Sequence, residues 1–213
     1  MSVRSSAGRV RCPVCARPQA QCLCSLIPRL WPPTQLLVIQ HPDEASHALN
    51  TAHLLVPGLV NAHLLITESL QEHPAWMRRL QDPRWRNELL FPGEQAQVLL
   101  PAAADLRPRR LVLLDGTWRK ARKLVYLNPV LQSMAQVCLP AGLVSRYRLR
   151  KVPQAGALST IEAGAEALSV LHPGFDKHAL LAPFEALIEG QIRAMGLARY
   201  QQNYGAASDP AVE

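Results

Sequence analysis

Leu111-Val112-Leu113-Leu114-Asp115-Gly116-Thr117-Trp118-Arg119-Lys120-Ala121-Arg122-Lys123 is the stretch that decides how this chain folds. Four apolar residues run without interruption, an acid follows, a glycine breaks the run, and a threonine opens a basic segment. A short continuous apolar run ended by a turn residue is the pattern of a strand buried on both faces. Thr117 is a good helix N-cap, and Trp118, Ala121 and Leu124 or Val125 fall at helical spacing. A helix facing the core therefore follows to about Tyr126 and stops at Asn128-Pro129. The unit is strand, turn, helix, with Asp115 at the carboxyl end of the strand. Ligands of open α/β sheets bind just outside those ends, so Asp115 is a candidate site residue.

Charge is concentrated around the same unit. Arg107, Arg109, Arg110, Arg119, Lys120, Arg122, Lys123, Arg146, Arg148, Arg150 and Lys151 are eleven cations, and Asp115 is the lone acid among them. The stretch carries +10 and the whole chain +7, so the remainder sums to −3. Such clustering calls for a polyanionic partner. Nucleic acid fits better than a membrane surface, which would ask for an amphipathic basic helix with exposed aromatics. Read as a strand, Arg146, Arg148 and Arg150 share one face while Tyr147 and Leu149 share the other. Arginines so spaced suit a phosphate backbone. Arg119, Lys120, Arg122 and Lys123 alone would pass for a solvated helix face, but the second cluster favours RNA or DNA contact.

The chain of 213 residues, 48% hydrophobic and 18% charged, has the composition of one folded domain with at most a small appendage. No apolar run approaches the ~20 residues that cross a bilayer. Residues 1–11 are polar and basic without an apolar core, so no secretory signal is expected and the expected compartment is the cytoplasm. In that compartment five cysteines argue against a disulfide framework. Cys12, Cys15, Cys22 and Cys24 lie within thirteen residues, at spacings that let four thiolates converge on one tetrahedral zinc. The site would be structural, since four thiolates leave no open position, and Arg17 could offset part of its charge. Reduced thiols or a redox pair are the other reading. Cys138 reads as a buried residue of a short strand over 136–139.

Along the rest of the chain, strands are expected at 35–40, 62–66 and 97–100, with a turn at His41-Pro42 and a helix over 47–55 stopped by Pro57-Gly58. His41, Glu44, Asn50 and Thr51 sit at or just beyond a strand end, where pocket lining and ordinary capping are both open. Residues 68–92 do not resolve into elements, and Trp76, Trp85 and Phe91 within them read as core anchors. Ser159 and Glu162 form a capping-box pattern that starts a helix over 160–171, whose N-terminus could also seat a ligand carboxylate. A long amphipathic helix over 178–200 and a disordered tail over 201–213 complete the expectation. Strands alternating with helices imply an α/β fold with a mostly parallel sheet and flanking helices. The division is a cysteine-rich segment 1–28, a domain 29–200 and the tail.

Together these stretches resemble the DTW-domain family. Asp115-Gly116-Thr117-Trp118 with Arg119-Lys120-Ala121 resembles its signature, and Leu158-Ser159-Thr160-Ile161-Glu162-Ala163 its C-terminal motif. The four cysteines, the His41-Pro42-x-Glu44 turn with Asn50-Thr51, and Tyr147-Arg148-Leu149-Arg150-Lys151 match further family blocks. The resemblance spans residues 12–171, and 68–92 carry no family motif. It implies a fold similar to the knotted SPOUT transferases, with a C-terminal knot. It also implies transfer of the 3-amino-3-carboxypropyl group of S-adenosylmethionine to N3 of a tRNA uridine, in the variable loop, releasing 5′-methylthioadenosine. In that scheme Asp115, Thr117 and Trp118 belong to the catalytic centre, and Leu114, Gly116, Leu158, Ser159, Thr160 and Glu162 hold S-adenosylmethionine. Arg119, Lys120, Arg122, Lys123, Arg146, Arg148, Arg150 and Lys151 hold tRNA, and no obligate protein partner is implied. Two other readings stand beside it: a SPOUT-like RNA methyltransferase, and a non-catalytic zinc-containing RNA-binding protein.

Overall fold

The computed structural model describes residues 10–101, 105–149 and 156–204. Six strands form one sheet: β1 (Gln35–Gln40), β2 (Ala62–Ile66), β3 (Arg86–Leu90), β4 (Gln97–Val98), β5 (Arg109–Asp115) and β6 (Ala135–Cys138). Their order is β2-β1-β5-β3-β6-β4, and each neighbouring pair is parallel. Around them lie α1 (Ala52–Leu55), α2 (Pro74–Leu80), α3 (Trp118–Leu127), α4 (Pro129–Gln132), α5 (Thr160–Leu171), α6 (Lys177–Met195) and α7 (Leu197–Tyr204).

The strands are apolar on both faces because helices cover both. Leu36, Val38, Leu111 and Leu113 point into one core with Leu55 of α1, Ile161, Ala165 and Leu168 of α5, and Phe184 of α6. Leu37, Ile39 and Val112 alternate into a second core with Leu80 of α2, Leu124 of α3 and Val130 and Leu131 of α4. The result is three layers, with β5 at the centre of the sheet. From β1 the chain turns outward to β2, whereas from β5 it runs the other way to β6. The gap between the carboxyl ends of β1 and β5 is thus the point where the winding reverses, the ordinary place for a ligand in such a sheet.

Several expectations change. Residues 68–92 hold α2 and the whole of β3, a strand the sequence hides behind Arg86-Asn87-Glu88. Glu88 is buried there because Arg86 and Arg109 lie 2.7 and 2.9 Å from its carboxylate oxygens. Trp76 and Phe91 are half-buried at the rim of the second core rather than inside it, and Trp85 is half-buried against Arg110. The expected helix over 47–55 begins only at Ala52, since the Asn50 side chain accepts from Ala52 N and donates to Glu44 O, bracketing a turn. The strand expected over 97–100 is two residues long. Cys138 lies in β6 but is only half-buried. Residues 146–149 form a turn rather than a strand, although Tyr147 and Leu149 are buried and Arg146 and Arg148 exposed as the alternation required. The long C-terminal helix breaks at Gly196 (φ 85°), and α7 continues to Tyr204 into the stretch expected to be disordered. Residues 150–155, within the connection from β6 to α5, lie outside the described residues, and with them Arg150, Lys151 and the path of the expected knot. No helix among the described residues is long and apolar enough to cross a membrane.

Gly164 in α5 sets how close that helix lies to α1. A Cβ there would stand 2.9 Å from Leu55 Cδ2, and Leu55 is fully buried, so its side chain would have to shift within the core. Alanine would add up to about 1 kcal/mol of helix propensity, while overpacking a filled core costs about 1–3 kcal/mol. Gly164→Ala is expected to lower the melting temperature by about 2–4 °C in a circular-dichroism melt. An unchanged or higher value would show that Leu55 moves aside freely.

Candidate functional site at the carboxyl edge of the sheet

Asp115 ends β5 opposite Gln40, the last residue of β1. Both side chains point toward the layer of α1 and α5, following Leu111, Leu113, Leu36 and Val38 by strand alternation. Gln40 Nε2 donates to Asp115 Oδ2 at 2.6 Å. Thr160, the first residue of α5, donates its hydroxyl to the other carboxylate oxygen. His41 N donates to the Asp115 carbonyl at 3.0 Å, which extends the β1–β5 ladder past the strand ends. Asp115 is 9% exposed. A carboxylate offers about four acceptor sites, so the two donors that fix it leave room for two more. Gln40 is fully buried, and its Oε1 has no hydrogen-bond partner among the described residues.

Around this pair the predicted residues fall into three groups. His41 is buried, its Nδ1 accepts from Asp43 N, and its Nε2 lies 2.6 Å from Glu68 Oε1. Those partners place the ring proton on Nε2. Lys123 Nζ in turn hydrogen-bonds Glu68 and holds its carboxyl below the usual range. Lys120 Nζ is 2.8 Å from Glu44 Oε1, and that bond raises the ammonium pKa. Asn50 shapes the turn, and Thr51 Oγ1 accepts from Ile161 N at 3.4 Å, joining α1 to the first turn of α5.

The start of α5 is used internally. Ser159 is its N-cap, Glu162 completes the capping box, and the Glu162 carboxylate accepts from Ser159 N, Ser159 Oγ, Arg146 N and Ser145 Oγ. The seat that a ligand carboxylate would take on this helix already holds a carboxylate of the protein. Only Thr160, among the residues of that motif, reaches Asp115. Gly116 allows the turn after β5 to press against its surroundings, since a Cβ would meet Lys120 Cβ at 3.1 Å and His41 Cβ at 3.6 Å. Thr117 is exposed and caps α3 by accepting from Lys120 N. Trp118 packs edge-to-face on Phe91, ring centres 5.8 Å apart, on the α3 side of the sheet, and Leu114 belongs to that second core as well. Leu158 is half-buried just before the cap.

Three residues of this neighbourhood carry no family motif in the sequence. Gln40 was legible only as the polar residue closing an apolar strand, and its register with Asp115 comes from the fold. Glu68 falls in the stretch that resisted assignment. His53, in α1, hydrogen-bonds the Ala45 backbone and lies close enough to Asp115 to feel its charge, while burial is what lowers its pKa.

The basic stripe is less open than its sequence suggests. Lys120 and Lys123 are paired as above, Arg146 reaches Glu185 at 2.6 Å, and Arg148 pairs with Glu189, both acids on α6. Arg107 pairs with Asp105 and Arg109 with Glu88, while Arg110 is buried. Arg119 and Arg122 are exposed and make no ion pair among the described residues.

At the N-terminal end, the Sγ atoms of Cys12, Cys15, Cys22 and Cys24 all lie within 4.8 Å of one another, with Cys12 to Cys24 at 3.4 Å and Cys15 to Cys22 at 3.8 Å. A tetrahedral zinc with Zn–S of about 2.3 Å implies sulfur separations of about 3.8 Å, so the donors fit a metal such as zinc. N–H groups of Cys15 and Val14 favour the Cys12 thiolate and bring its pKa to about 6, whereas burial leads in raising Cys24 to about 12. Ala16 follows the first pair with φ 55°, a left-handed turn that carries the chain back so that Cys12 N donates to Arg17 O at 2.7 Å. Cys12 and Cys15 are buried in the α5–α6 core, and Arg17 donates to Gln21 O and to Ala48 O, so the cluster is fastened to the main domain. Cys15→Ser and Cys22→Ser should each reduce bound metal, measured by plasma mass spectrometry, from about one ion per chain to well below half. Retention of the full complement would show that these thiols are not ligands.

Comparison with known proteins bears on the same elements. A family model described as the DTW domain matches residues 9–192. The chain is 32% identical to tRNA-uridine aminocarboxypropyltransferase 2 of Mus musculus, over 96% of this chain and 71% of that protein. It is 31% identical to tRNA-uridine aminocarboxypropyltransferase 2 of Drosophila melanogaster, over 86% and 76%. With tRNA-uridine aminocarboxypropyltransferase A of Arabidopsis thaliana it shares 28% identity over 76% and 72%. No solved structure matches. A model match from the cysteine cluster through α6, with relatives aligned over most of their length, means that this chain belongs to the DTW domain family.

Proposed function

We propose that this protein transfers the 3-amino-3-carboxypropyl group of S-adenosylmethionine to N3 of a uridine in tRNA, in the variable loop, and releases 5′-methylthioadenosine. The observation that carries the reading is the Gln40–Asp115–Thr160 arrangement at the winding reversal, in a chain whose relatives bear the name of that activity. The residues suit the amino-acid end of S-adenosylmethionine. An α-ammonium needs acceptors, and the orphaned Gln40 Oε1 and the spare sites of Asp115 are acceptors side by side. The Thr160 N–H and the backbone at Leu114, Gly116 and Leu158 supply donors and acceptors for the rest. When bound, S-adenosylmethionine supplies a sulfonium-activated methylene for N3 to attack, with the sulfur leaving as a neutral thioether.

The protein's own part is positioning and proton removal. Asp115 is held from two sides, so its free lone pairs keep one direction and can accept the N3 proton or orient the base. His41, Glu68 and Lys123 brace the loop after β1, and Trp118 with Phe91 fixes the start of α3 at the rim. Arg119 and Arg122, together with Arg146 and Arg148 once their acids on α6 are exchanged for phosphate, receive the tRNA backbone. Arg150 and Lys151 are assigned to the same contact. Zinc on the four cysteines is structural, and the fold is read as the C-terminally knotted kind of the SPOUT transferases.

The decisive experiment supplies tRNA and S-adenosylmethionine labelled separately in the methyl and carboxypropyl groups. Only the carboxypropyl label should enter tRNA, with matching release of methylthioadenosine. Methyl incorporation would make the protein a methyltransferase, and neither label entering would leave an RNA-binding protein. Asp115→Ala should reduce kcat at least ~100-fold while tRNA affinity in a filter-binding assay stays within a few-fold. Near-normal turnover in that variant would sink the role given to Asp115.

A further inference from the structure

The edge of the sheet opposite Asp115 carries a second positively charged concavity that the transfer reaction does not use. A cavity of about 470 Å³ is lined by Ala75, Arg78, Arg79, Asp82 and Arg84, from α2 and the turn that leads into β3. Asp82 and Arg84 neutralise each other, with the Arg84 guanidinium hydrogen-bonded to both carboxylate oxygens. Arg78 and Arg79 are exposed and have no carboxylate within ion-pair distance among the described residues. Behind them Arg110 is 2% exposed, and the partners found for it are neutral: Gln35 Oε1, Arg79 O and Asn87 Oδ1. Its guanidinium lies 4.2 Å from the centre of the Trp85 ring, and Arg79 stands 4.9 Å from that of Trp76.

This is an unusual place for uncompensated charge. A buried guanidinium with no carboxylate within ion-pair distance loses hydration and gains in return only dipoles, ring faces and the more distant charge of Asp82. Burial and the neighbouring Arg79 bring Arg110 down to about 10, which records the same cost. An anion entering the concavity would offset both charges at once. Guanidinium groups are planar forks that match the oxygens of a phosphodiester, and the lining offers arginine rather than lysine.

We infer that the Arg78–Arg79 concavity binds the phosphate backbone of RNA, as a second contact remote from the reacting uridine. The inference rests on the tRNA reading given above. Nucleic acid is favoured over an acidic protein segment because α2 and α3 lie in the same layer of the fold, and the unpaired cations of α3 are Arg119 and Arg122. The two pairs of arginines mark a track along one face, from the edge that holds Asp115 to the edge that holds Arg110. Five residue steps along β5, from Arg110 to Asp115, separate those ends, about 17 Å at strand rise. An elongated RNA can contact both.

The test measures binding of an unmodified tRNA transcript to the full chain across a potassium chloride series. Arg78→Ala with Arg79→Ala should weaken binding about tenfold at moderate salt and flatten the log–log salt slope by about 1–2. Arg78→Lys with Arg79→Lys, which keeps the charge but not the fork, should restore the salt slope and only part of the affinity. A circular-dichroism melt of each variant separates lost contacts from lost folding around Trp76, and Arg78→Ala alone, which leaves the Trp76 contact intact, should still flatten the slope. Wild-type affinity and slope in the double alanine variant would overturn the proposal, even where the wild-type protein modifies tRNA. Weakened binding of polyglutamate with unchanged tRNA binding would also overturn it, by giving the surface to an acidic protein. Loss of salt-dependent tRNA binding in a protein that transfers nothing would leave this proposal standing and remove the catalytic one.

Discussion

One buried carboxylate ties this molecule together at the point where its chemistry is expected. Asp115 receives Gln40 from the end of β1 and Thr160 from the start of α5, and its own carbonyl receives His41. Three segments separated by 75 and 45 residues meet on one side chain. Hydrogen bonds to a charged acceptor contribute about 1.5–3 kcal/mol each, but a buried carboxylate without them would cost more than that. The geometry is therefore all or nothing: remove the partners and the acid has no reason to stay inside. The same condition makes the site rigid before any substrate arrives, since neither the strand ends nor the helix start can shift without stranding a charge.

Electrostatic complementarity organises the rest of the surface around that acid. The stretch from 107 to 151 is strongly basic in sequence, yet the fold brings acids from α6, from the loops after β1 and β2 and from β3 against most of its described cations. Exposed pairs of this kind contribute about 0–1 kcal/mol each, so all but the buried Arg109–Glu88 pair do little for stability. What they do is decide which cations remain available at low cost. Among the described residues, the exposed arginines of α3 and of the end of α2 stay unmatched, and there a polyanion gains Coulomb energy without displacing an acid.

How much of this could be read beforehand follows from what each residue pairs with. β1, β2 and β5 were legible because apolar side chains on both faces need no partner of specified identity; the run announces itself. The cap at Ser159 and the cysteine cluster were legible because their partners lie within a dozen residues. β3 was not, because Arg86, Asn87 and Glu88 become strand residues only once Arg109 and Arg110 of β5 lie alongside. Gln40 was passed over for the same reason, since its partner is 75 positions away. The basic stripe was legible as a composition but not as a surface, because the acids that pair with it are spread over the rest of the chain.

The position of β5 has a consequence for how the protein comes to exist. It is the fifth strand in sequence and sits between the first and the third. Neither β1 nor β3 can complete its ladder until residues 109–115 have been made and inserted. Contacts of such long sequence separation carry a large loop-closure entropy and slow the search for the native topology. During synthesis the first hundred residues must wait with their central edges open, and open parallel edges invite aggregation. The Asp115 cluster closes last, once residue 160 is available, so any truncated chain that ends before α5 lacks the site altogether.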